Sequence, residues 1–544
     1  MVYSDREAGR LRFRAMAESL SRATALSNGM SLAWWAAQIP SSPAIISSTG
    51  SVSFAELNAR VNELARAFRR RGLESGDAVA VMCGNQVEFA ETAFASVRSG
   101  LRLTPINRYL TSDEVAYILA DCDAKALVVD VSLADIAEKA LAAAPRCTVR
   151  FVANAGSDSA ELIGGSEDLA AARQPEDRLD LADPMPGTTM FYTSGTTGRP
   201  KGVLRSAASA ASMLGANIYG YDEGGGDIHL CTGPLHHAAP LSFSLSAPIT
   251  YGASVVLMER FDAAETLRLI ERHQVTHTHM VPTMFHRLLA LPAEIRESSD
   301  VSMLRYVLHG AAPCPLTVKQ RIIEWFGPIV WEYYAASEGV GSFVDSATWL
   351  AHPGTVGKPY APRQMIVGDE AGVELPPNEI GLMWLRTPVG GAFEYYKDSL
   401  KTSSSYRGDY FTLGDVGRMD DEGYFYLTDR SANLIISGGV NIYPAEVDEV
   451  LLQHPAVGDA ATIGVPDTEW GESVLAVVEL QTGVIGSEEL AAELISHCRS
   501  HLAHFKCPRS VDFVTELPRQ DNGKIYKRLL RDHYRQGAAG AGGS

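Results

Sequence analysis

The chain has 544 residues, of which 46% are hydrophobic and 21% charged, and its formal net charge is -18. This length exceeds what one hydrophobic core usually supports, so we expect two or more domains. The negative charge excludes broad binding to nucleic acid or to an anionic membrane surface. A polyanionic ligand must therefore be held locally, by backbone N–H groups and a few cations.

Cysteine usage and apolar runs bear on where the chain resides. The seven cysteines are scattered and none forms a CxxC pair, so the sequence predicts neither a zinc site nor a disulfide framework and favours a reducing compartment. Residues 1–20 mix acids with arginines and do not resemble a secretory signal. No run approaches the roughly 18 apolar residues of a membrane span. We predict a cytoplasmic protein without a transmembrane segment, and leave peripheral membrane contact and a homodimer open.

The predicted elements alternate between helices and strands. Residues 53–72 carry apolar side chains at helical spacing, with Ser53 and Glu56 placed as a capping box and Gly72 as a stop. The apolar run 77–84 follows and suits a buried strand. Helix-then-strand patterns recur at 111–131 and 263–281. This alternation predicts an α/β fold with mostly parallel sheets.

A glycine-rich stretch, FYTSGTTGRPKGV, occupies residues 191–203. Glycines let the backbone turn tightly, and consecutive N–H groups in such turns form an anion-binding concavity. The stretch adds the ammonium group of Lys201 and several hydroxyl groups. A flexible surface turn is the plain alternative. A P-loop is excluded, because Pro200 and Gly202 stand where that motif requires glycine and a magnesium-binding hydroxyl. The stretch therefore predicts a phosphate cradle of another kind.

The last 110 or so residues have the pattern of a separate small unit. Val474–Leu480 reads as a strand and Glu488–Leu502 as a helix, and a glycine-rich tail closes the chain. The pattern changes near Arg430. We therefore predict an N-terminal domain over residues 1–430 and a C-terminal domain over 431–544, with a flexible tail at 537–544.

Seven motifs, in order, resemble those of the adenylate-forming superfamily, which contains acyl-CoA synthetases, luciferases and peptide-synthetase adenylation domains. They are YTSGTTGRPKGV (192–203), PLHHAAPL (234–241), HGAAPCP (309–315), YYAASEG (333–339), TLGDVG (412–417), YLTDRSANLIISGGVNIYPAEVDEVL (426–451) and PRQDNGKIYKR (518–528). The resemblance covers roughly residues 30 to 535, and so many ordered matches make it specific.

The resemblance implies both a fold and a reaction. The fold is acyl-CoA synthetase-like, with a large N-terminal domain of layered sheets and helices and a small, mobile α+β C-terminal domain. The reaction has two halves. A carboxylate attacks the α-phosphorus of ATP and expels pyrophosphate, and the thiol of coenzyme A then attacks the acyl-adenylate and releases AMP. The implied cofactors are ATP, Mg²⁺ and coenzyme A, and the implied partner is a small carboxylic acid.

The resemblance also implies roles for several charged residues in these motifs. Lys524 would bridge the carboxylate and the α-phosphate, and Lys201 would hold the β- and γ-phosphates. Glu338 would carry Mg²⁺ with Thr197, since Mg²⁺ prefers oxygen ligands and phosphate. Asp415 would accept hydrogen bonds from the ribose. The full implied set for ATP and AMP is Thr193, Ser194, Gly195, Thr196, Thr197, Gly198, Lys201, Gly310, Ala311, Ala312, Glu332, Tyr333, Tyr334, Ser337, Asp415, Arg430 and Lys524.

Three further assignments follow from the resemblance. His237, or its neighbour His236, would lie at the floor of the acyl pocket and act with the catalytic residues, beside Ala336 and Gly310. The implied contacts to coenzyme A are Gly438, Gly439, Phe505, Lys506 and Arg509. Ala432 stands where many relatives carry Asp or Lys at the pivot between two conformations. We expect the rotation to survive, because it needs backbone freedom rather than a carboxylate.

The sequence constrains the identity of the acid less tightly than it constrains the reaction. The stretch PLHHAAPLSF contains no carboxylate for a substrate ammonium group, which disfavours an amino acid. Residues 206–216 carry almost only tiny side chains, which indicates either close helix packing or a wide pocket. A wide pocket predicts a large apolar acid, namely a fatty, alicyclic or steroid side-chain acid. Transfer of the acyl group to a separate carrier protein, and a non-catalytic nucleotide- or acyl-binding homologue, remain the alternatives.

Overall fold

A computed structural model describes residues 21–155, 163–193, 200–208, 217–222, 225–359, 361, 363–387, 391–430, 433–437, 440–467, 470–520 and 523–541. It is a mixed α/β structure with a large N-terminal domain and a smaller C-terminal domain.

The strands of the described residues, in chain order, are β1 Pro43–Ser47, β2 Gly50–Ser53, β3 Ala78–Met82, β4 Arg102–Pro105, β5 Ala124–Asp130, β6 Val149–Ala153, β7 Glu167–Asp168, β8 Thr188–Thr193, β9 Lys201–Leu204, β10 Ile228–Cys231, β11 Ser254–Leu257, β12 His277–Met280, β13 Tyr306–His309, β14 Val330–Ala335, β15 Val340–Val344, β16 Thr355–Gly357, β17 Met365–Gly368, β18 Gly381–Arg386, β19 Glu394–Tyr395, β20 Tyr406–Arg407, β21 Tyr410–Met419, β22 Phe425–Arg430, β23 Ile435–Ser437, β24 Val440–Ile442, β25 Val457–Asp467, β26 Gly471–Leu480 and β27 Ser510–Val514.

The α-helices are α1 Arg22–Ser27, α2 Ser31–Gln38, α3 Phe54–Arg70, α4 Val87–Arg98, α5 Ser112–Asp121, α6 Ala134–Leu141, α7 Leu169–Arg173, α8 Ala247–Thr250, α9 Ala263–His273, α10 Pro282–Leu289, α11 Ala293–Ser298, α12 Leu316–Phe326, α13 Ser346–Ala351, α14 Ser399–Ser405, α15 Pro444–Leu451, α16 Glu488–His501 and α17 Lys527–Ala541. A π-helical segment, Pro240–Ser246, directly precedes α8, and short 3₁₀ turns lie at Val131–Leu133 and His504–Lys506.

Two eight-stranded sheets form most of the N-terminal domain. One has the order β15-β14-β13-β12-β10-β11-β1-β2 and the other the order β19-β9-β8-β4-β3-β5-β6-β7. In both, the inner strands pair in parallel and the antiparallel pairs lie toward the edges. The parallel α/β interpretation of the sequence is confirmed for these two sheets.

A third sheet, with the order β16-β22-β21-β18-β17, departs from that prediction because all its pairs are antiparallel. The sheet of the C-terminal domain, β24-β23-β26-β25 with β27 beside β26, is antiparallel except for the β26/β27 pair. Antiparallel neighbours need only short connections, and the only described helix between β16 and β22 is the short α14. The third sheet therefore lacks the regular helix-and-strand alternation on which the prediction rested.

Local sequence signals account for the helix ends. Ser53 caps α3 by accepting a hydrogen bond from the Glu56 N–H at 3.2 Å. The Glu56 carboxylate instead contacts Arg60 and Arg178, so the second half of the predicted capping box is replaced by ion pairs. Gly72 has a φ of +80° after the helix, which is the left-handed conformation that glycine adopts without strain.

The main core joins the two large sheets. Buried side chains from β1, α3, β3, α4 and β11 meet there; examples are Ile45, Phe54, Val81, Phe89 and Val255. The C-terminal domain has its own core between α15, α16 and the fourth sheet. Among the described helices, none combines the length and apolar character that crossing a bilayer requires.

Candidate functional site

The glycine-rich stretch lies between two paired strands. Thr193 ends β8, Lys201 begins β9, and these two residues face each other in the antiparallel pair. The predicted residues Ser194, Gly195, Thr196, Thr197 and Gly198 lie outside the described part of the chain. At Gly202, a Cβ would come within 3.0 Å of Met190 Sδ and 3.3 Å of Tyr396 Cβ. Close packing therefore favours glycine at this position.

Two polar side chains next to Lys201, those of Tyr395 and Asp398, were not predicted from the sequence. The Lys201 ammonium lies 5.9 Å from the centre of the Tyr395 ring and 3.9 Å from Asp398 Oδ2. The Tyr395 hydroxyl donates a hydrogen bond of 2.9 Å to Glu338 Oε1. Burial, and then the negative charge of Glu338, raise the pKa of Tyr395, so the phenol keeps its proton and remains a donor.

Glu338 is held by a tight turn. Ala336 and Gly339 exchange backbone hydrogen bonds of 2.8 and 3.2 Å between β14 and β15, and Glu338 is only 8% exposed. Arg205 Nη1 reaches the Ser337 carbonyl at 3.4 Å. Burial lowers the pKa of Arg205 and the charge of Glu338 opposes that shift. A carboxylate, an ammonium group and a guanidinium group thus lie close together at the end of β14.

The predicted ribose acceptor has a buried partner. Asp415 Oδ2 accepts a 2.8 Å hydrogen bond from the Tyr334 hydroxyl. In the backbone register of the β21/β22 pair, Asp415 stands opposite Arg430. Side chains alternate along β14, so Tyr333 points to the opposite face, where its hydroxyl lies 3.1 Å from His279 Nε2. Of the two tyrosines proposed to stack on adenine, Tyr334 is the one beside Asp415.

The loop after β13 packs tightly against β14. A Cβ on Gly310 would lie 2.6 Å from the ring and from the carbonyl of Tyr333, so glycine permits this close approach. Ala311 has a φ of +69°, which is strained for a residue with a side chain. Ala312 follows it, half-buried.

Glu332 belongs to β14, the strand against which this loop packs. Its carboxylate is ion-paired with Lys319 of α12, and His309 Nε2 lies 3.7 Å away. Lys319 is fully buried and its ammonium lies 4.7 Å from the Trp349 ring centre. The sequence predicted Glu332 as a wall of the adenine slot. In the structure, its carboxylate forms an ion pair with the buried Lys319.

The two candidate histidines lie in the turn that precedes the π-helical segment Pro240–Ser246. Their rings are 4.6 Å apart, with His236 buried and His237 half-buried. The His237 carbonyl accepts the Leu241 N–H at 3.1 Å. This bond connects His237 to the first turn of the segment that carries Phe243.

The loop that carries Lys524 lies against the N-terminal domain. The Lys524 carbonyl accepts the Gln520 N–H at 2.8 Å. The Gly523 carbonyl accepts from Arg519 Nη1 at 2.8 Å and from Thr283 Oγ1 at 3.3 Å. Thr283 belongs to the first turn of α10, which follows β12. The C-terminal loop therefore lies at the carboxyl end of the parallel strands, where open α/β sheets bind ligands.

The residues predicted to contact coenzyme A lie on the C-terminal domain. Phe505 is 53% exposed, and the Lys506 ammonium is ion-paired with Glu446. Arg509 lies over the Trp470 ring at 4.6 Å. Trp470 was not predicted. Gly438, Gly439 and the pivot residue Ala432 lie outside the described residues.

Comparison with known families identifies this arrangement. Residues 32–396 match the sequence model of the AMP-binding enzyme family, and residues 446–524 match that of the AMP-binding enzyme C-terminal domain. The chain belongs to the AMP-binding enzyme family. It is an AMP-forming enzyme of the acyl-CoA synthetase class, which uses ATP, Mg²⁺ and coenzyme A.

Relatives span nearly the whole chain. A feruloyl-CoA synthase from Amycolatopsis is 33% identical over 487 residues, covering 89% of this chain and 94% of the relative. The long-chain-fatty-acid–CoA ligase FadD13 of Mycobacterium tuberculosis is 31% identical over 494 residues, covering 89% of this chain and 93% of the relative. The crystal structure of the anthranilate CoA ligase AuaEII with anthranoyl-AMP has a TM-score of 0.84 at 26% identity, covering 94% of this chain and 98% of that one.

The described residues fit the implied groups. Mg²⁺ is commonly bound through one or two carboxylates together with substrate phosphates, and Glu338 supplies a buried carboxylate close to Arg205. Within the described part of the chain, no cluster of three or more metal-ligating side chains occurs. A magnesium ion here would be held by Glu338 and the phosphates of ATP.

Proposed function

We propose that this enzyme converts an apolar carboxylic acid into its coenzyme A thioester through an acyl-adenylate, with release of pyrophosphate and AMP. One observation supports the proposal: several of the described residues that were predicted contact one another or their neighbours near the carboxyl ends of β12 and β14. The Tyr334–Asp415 pair lies there, the Glu338–Tyr395 pair lies beside Lys201, and the loop of Lys524 reaches the same edge through Thr283.

In the first half-reaction, two anions must approach each other, so the site needs cations where negative charge accumulates. Asp415 holds the ribose, and its bond from Tyr334 fixes the carboxylate. Lys201 and Arg205 neutralise the phosphates from the N-terminal domain. Lys524 approaches from the C-terminal domain and holds the carboxylate oxygen against the α-phosphorus. Bound Mg²⁺ would neutralise the phosphates at Glu338.

In the second half-reaction, we propose that the C-terminal domain, residues 431–544, turns about the segment near Ala432. The turn withdraws Lys524 and brings Gly438 and Gly439 beside the acyl-adenylate. Phe505, Lys506 and Arg509 then bind the nucleotide end of coenzyme A. Such rotations rest on backbone freedom at a few hinge positions.

The acid is apolar in this proposal because aromatic side chains border the predicted acyl pocket. Phe243 and Tyr333 have ring centres 5.0 Å apart, and both belong to one buried cluster that also contacts Ala239 and Ala335. The named relatives act on ferulate, fatty acids and anthranilate. The small residues at 206–216 fall partly outside the described chain, so a bulky alicyclic or steroid acid remains a prediction.

A panel of acids tests this function. The purified enzyme is incubated with ATP, Mg²⁺ and coenzyme A and with acetate, benzoate, octanoate, palmitate or cholate, and acyl-CoA and AMP are measured by mass spectrometry. We expect equal amounts of thioester and AMP from at least one apolar acid. Preference for acetate would reject an apolar pocket. AMP formation that depends on a carrier protein and not on coenzyme A would reject coenzyme A as the acyl acceptor.

A further inference from the structure

A direct contact between the two domains lies one residue before Lys524. Thr283 Oγ1, in the first turn of α10, donates a hydrogen bond of 3.3 Å to the Gly523 carbonyl. A Cβ on Gly523 would collide with Thr283 Oγ1 and would lie 3.3 Å from Val281 Cγ2. The backbone of the C-terminal loop therefore packs against the N-terminal domain with no room for a side chain between them.

The loop that carries Lys524 is held in shape by its own domain. Arg519 and Ile525 form an antiparallel bridge across the loop. Arg519 Nη1 donates a hydrogen bond of 2.8 Å to the Gly523 carbonyl, and Arg519 Nη2 is ion-paired with Asp459 of β25. These bonds all lie within the C-terminal domain, so a rotation of that domain would leave them intact. The loop would then move as a preformed unit.

The Gly523 carbonyl accepts one hydrogen bond from each domain. A carbonyl oxygen has two lone pairs, so the bonds from Arg519 and from Thr283 do not exclude each other. When the domain turns away, the carbonyl keeps the bond from Arg519, and the hydroxyl of the half-buried Thr283 can bond to water instead. The contact can therefore open and close without leaving a buried polar group unpaired, which would be costly.

Cations of both domains lie near this contact. Arg287 follows Thr283 by one turn of α10, and burial and then the charge of Arg287 lower the pKa of Arg519 to about 10. Burial and then the charge of Arg519 lower the pKa of His286, while Glu479 acts in the opposite direction. Repulsion between like charges weakens the contact between the domains. The hydrogen bond from Thr283 acts against that repulsion.

We propose that Thr283 is a positioning residue for adenylation, because its hydroxyl holds the Gly523 carbonyl and thereby places Lys524 against the reacting carboxylate and the α-phosphate. Neighbouring Cα atoms are only about 3.8 Å apart, so the bond fixes the backbone from which the Lys524 side chain extends. A misplacement of about 1 Å at a reacting group can cost about 100-fold in rate. The inference rests on the proposed role of Lys524 and adds the residue of the N-terminal domain that holds its loop.

Single-turnover assays test this role with the acid that gives the most thioester in the panel above. We expect Thr283→Val to slow adenylation about 3- to 10-fold, the value of one net hydrogen bond, and Thr283→Ser to retain the wild-type rate. Thioester formation from preformed acyl-AMP should be as fast as in wild type or faster, because that step needs the contact open. Thr387→Val removes a 2.9 Å hydroxyl bond to the Asp409 carbonyl within the N-terminal domain. It is the matched control and should change neither rate.

A double variant separates positioning from general damage. Because Thr283 acts through Lys524, adding Thr283→Val to Lys524→Ala should change the remaining adenylation rate by less than about 2-fold, whereas independent effects would multiply. Multiplied losses would overturn the inference, and so would an unchanged adenylation rate or equal losses in both half-reactions of Thr283→Val. If Lys524→Ala alone slows adenylation, those results leave the proposed function intact. If it does not, the proposed role of Lys524 fails and the inference fails with it.

Discussion

The hydrogen bond between Tyr334 and Asp415 joins two walls of the proposed nucleotide site. It links β14 of the first sheet to β21 of the third at 2.8 Å, and both side chains are buried. A carboxylate that is fixed in this way can accept the ribose hydroxyls without reorientation, which is the kind of supporting contact that functional sites need. Loss of the bond should therefore weaken ATP binding more than it slows the chemistry.

We expect Tyr334→Phe to raise the KM for ATP by about 10-fold, because a hydrogen bond to a charged group contributes about 1.5–3 kcal/mol, and to leave kcat within a few-fold. Steady-state kinetics at saturating acid and coenzyme A measures both constants. Tyr410→Phe is the matched control, since its hydroxyl lies on the same strand as Asp415 but bonds the Arg363 carbonyl. An unchanged KM for ATP in Tyr334→Phe would contradict the role of this bond.

Individual site residues differed in how far the sequence could predict them. Lys201, Glu338 and Asp415 lie in short motifs, so the chemistry of each motif could be interpreted locally. Tyr395 reaches Glu338 because β19 pairs with β9. That pairing joins segments about 190 residues apart, and no local pattern indicates it.

At the scale of elements, the buried Lys319–Glu332 pair sets the distance between α12 and β14. α12 directly follows the Gly310 loop, and β14 carries Tyr334. The pair therefore fixes both walls of the expected adenine slot. An ion pair taken out of water is costly to break, because removal of one partner leaves the other charge buried and uncompensated.

We expect Lys319→Met to lower the free energy of unfolding by about 3–5 kcal/mol, as measured by urea unfolding. The double variant Lys319→Met/Glu332→Leu should recover most of that loss, since it leaves no unpaired charge. Arg268→Met breaks a surface pair with Glu265 and should change stability by less than about 1 kcal/mol. If the double variant proves as unstable as the single one, the unpaired buried charge of Glu332 is not the cause of the lost stability.

The elements themselves were predictable to different degrees. α3, α9 and α16 follow their apolar spacing and caps, β3 follows a short apolar run, and β12 lies within the stretch 275–281 that follows the predicted helix. The third sheet was not predicted, because its antiparallel strands do not alternate regularly with helices; α14 is the single described helix among them. The π-helical segment Pro240–Ser246 was not predicted either, since its residues differ from an ordinary helix only in hydrogen bonding.

At the scale of the whole molecule, an acidic protein concentrates a few cations at one edge. The net charge is -18, yet Lys201 lies beside Tyr395 and Arg205 is near Glu338, the partner of Tyr395. The Gly523 loop, which precedes Lys524, contacts Thr283 at the carboxyl end of β12 from the second domain. Catalysis of the first half-reaction should depend on this meeting of the domains. The second half-reaction, in which the loop is withdrawn, should not.

We expect Lys524→Ala to slow adenylation at least about 100-fold, in line with the loss of a group that stabilises charge in the transition state. The same variant should retain most of its rate of thioester formation from preformed acyl-AMP. Single-turnover assays measure the two half-reactions separately. Arg528→Ala, which removes a nearby half-exposed cation of α17 that pairs with Asp532, is the control. Equal losses in both half-reactions would contradict the assignment of Lys524 to the first.

The central claim is that the acid's own oxygen attacks the α-phosphorus. The direct measurement uses a carboxylic acid labelled with ¹⁸O in both carboxyl oxygens, supplied with unlabelled ATP and coenzyme A in ordinary water. We predict that the released AMP contains one ¹⁸O atom and that the thioester keeps the other. AMP without label, or label in the pyrophosphate, would contradict the account.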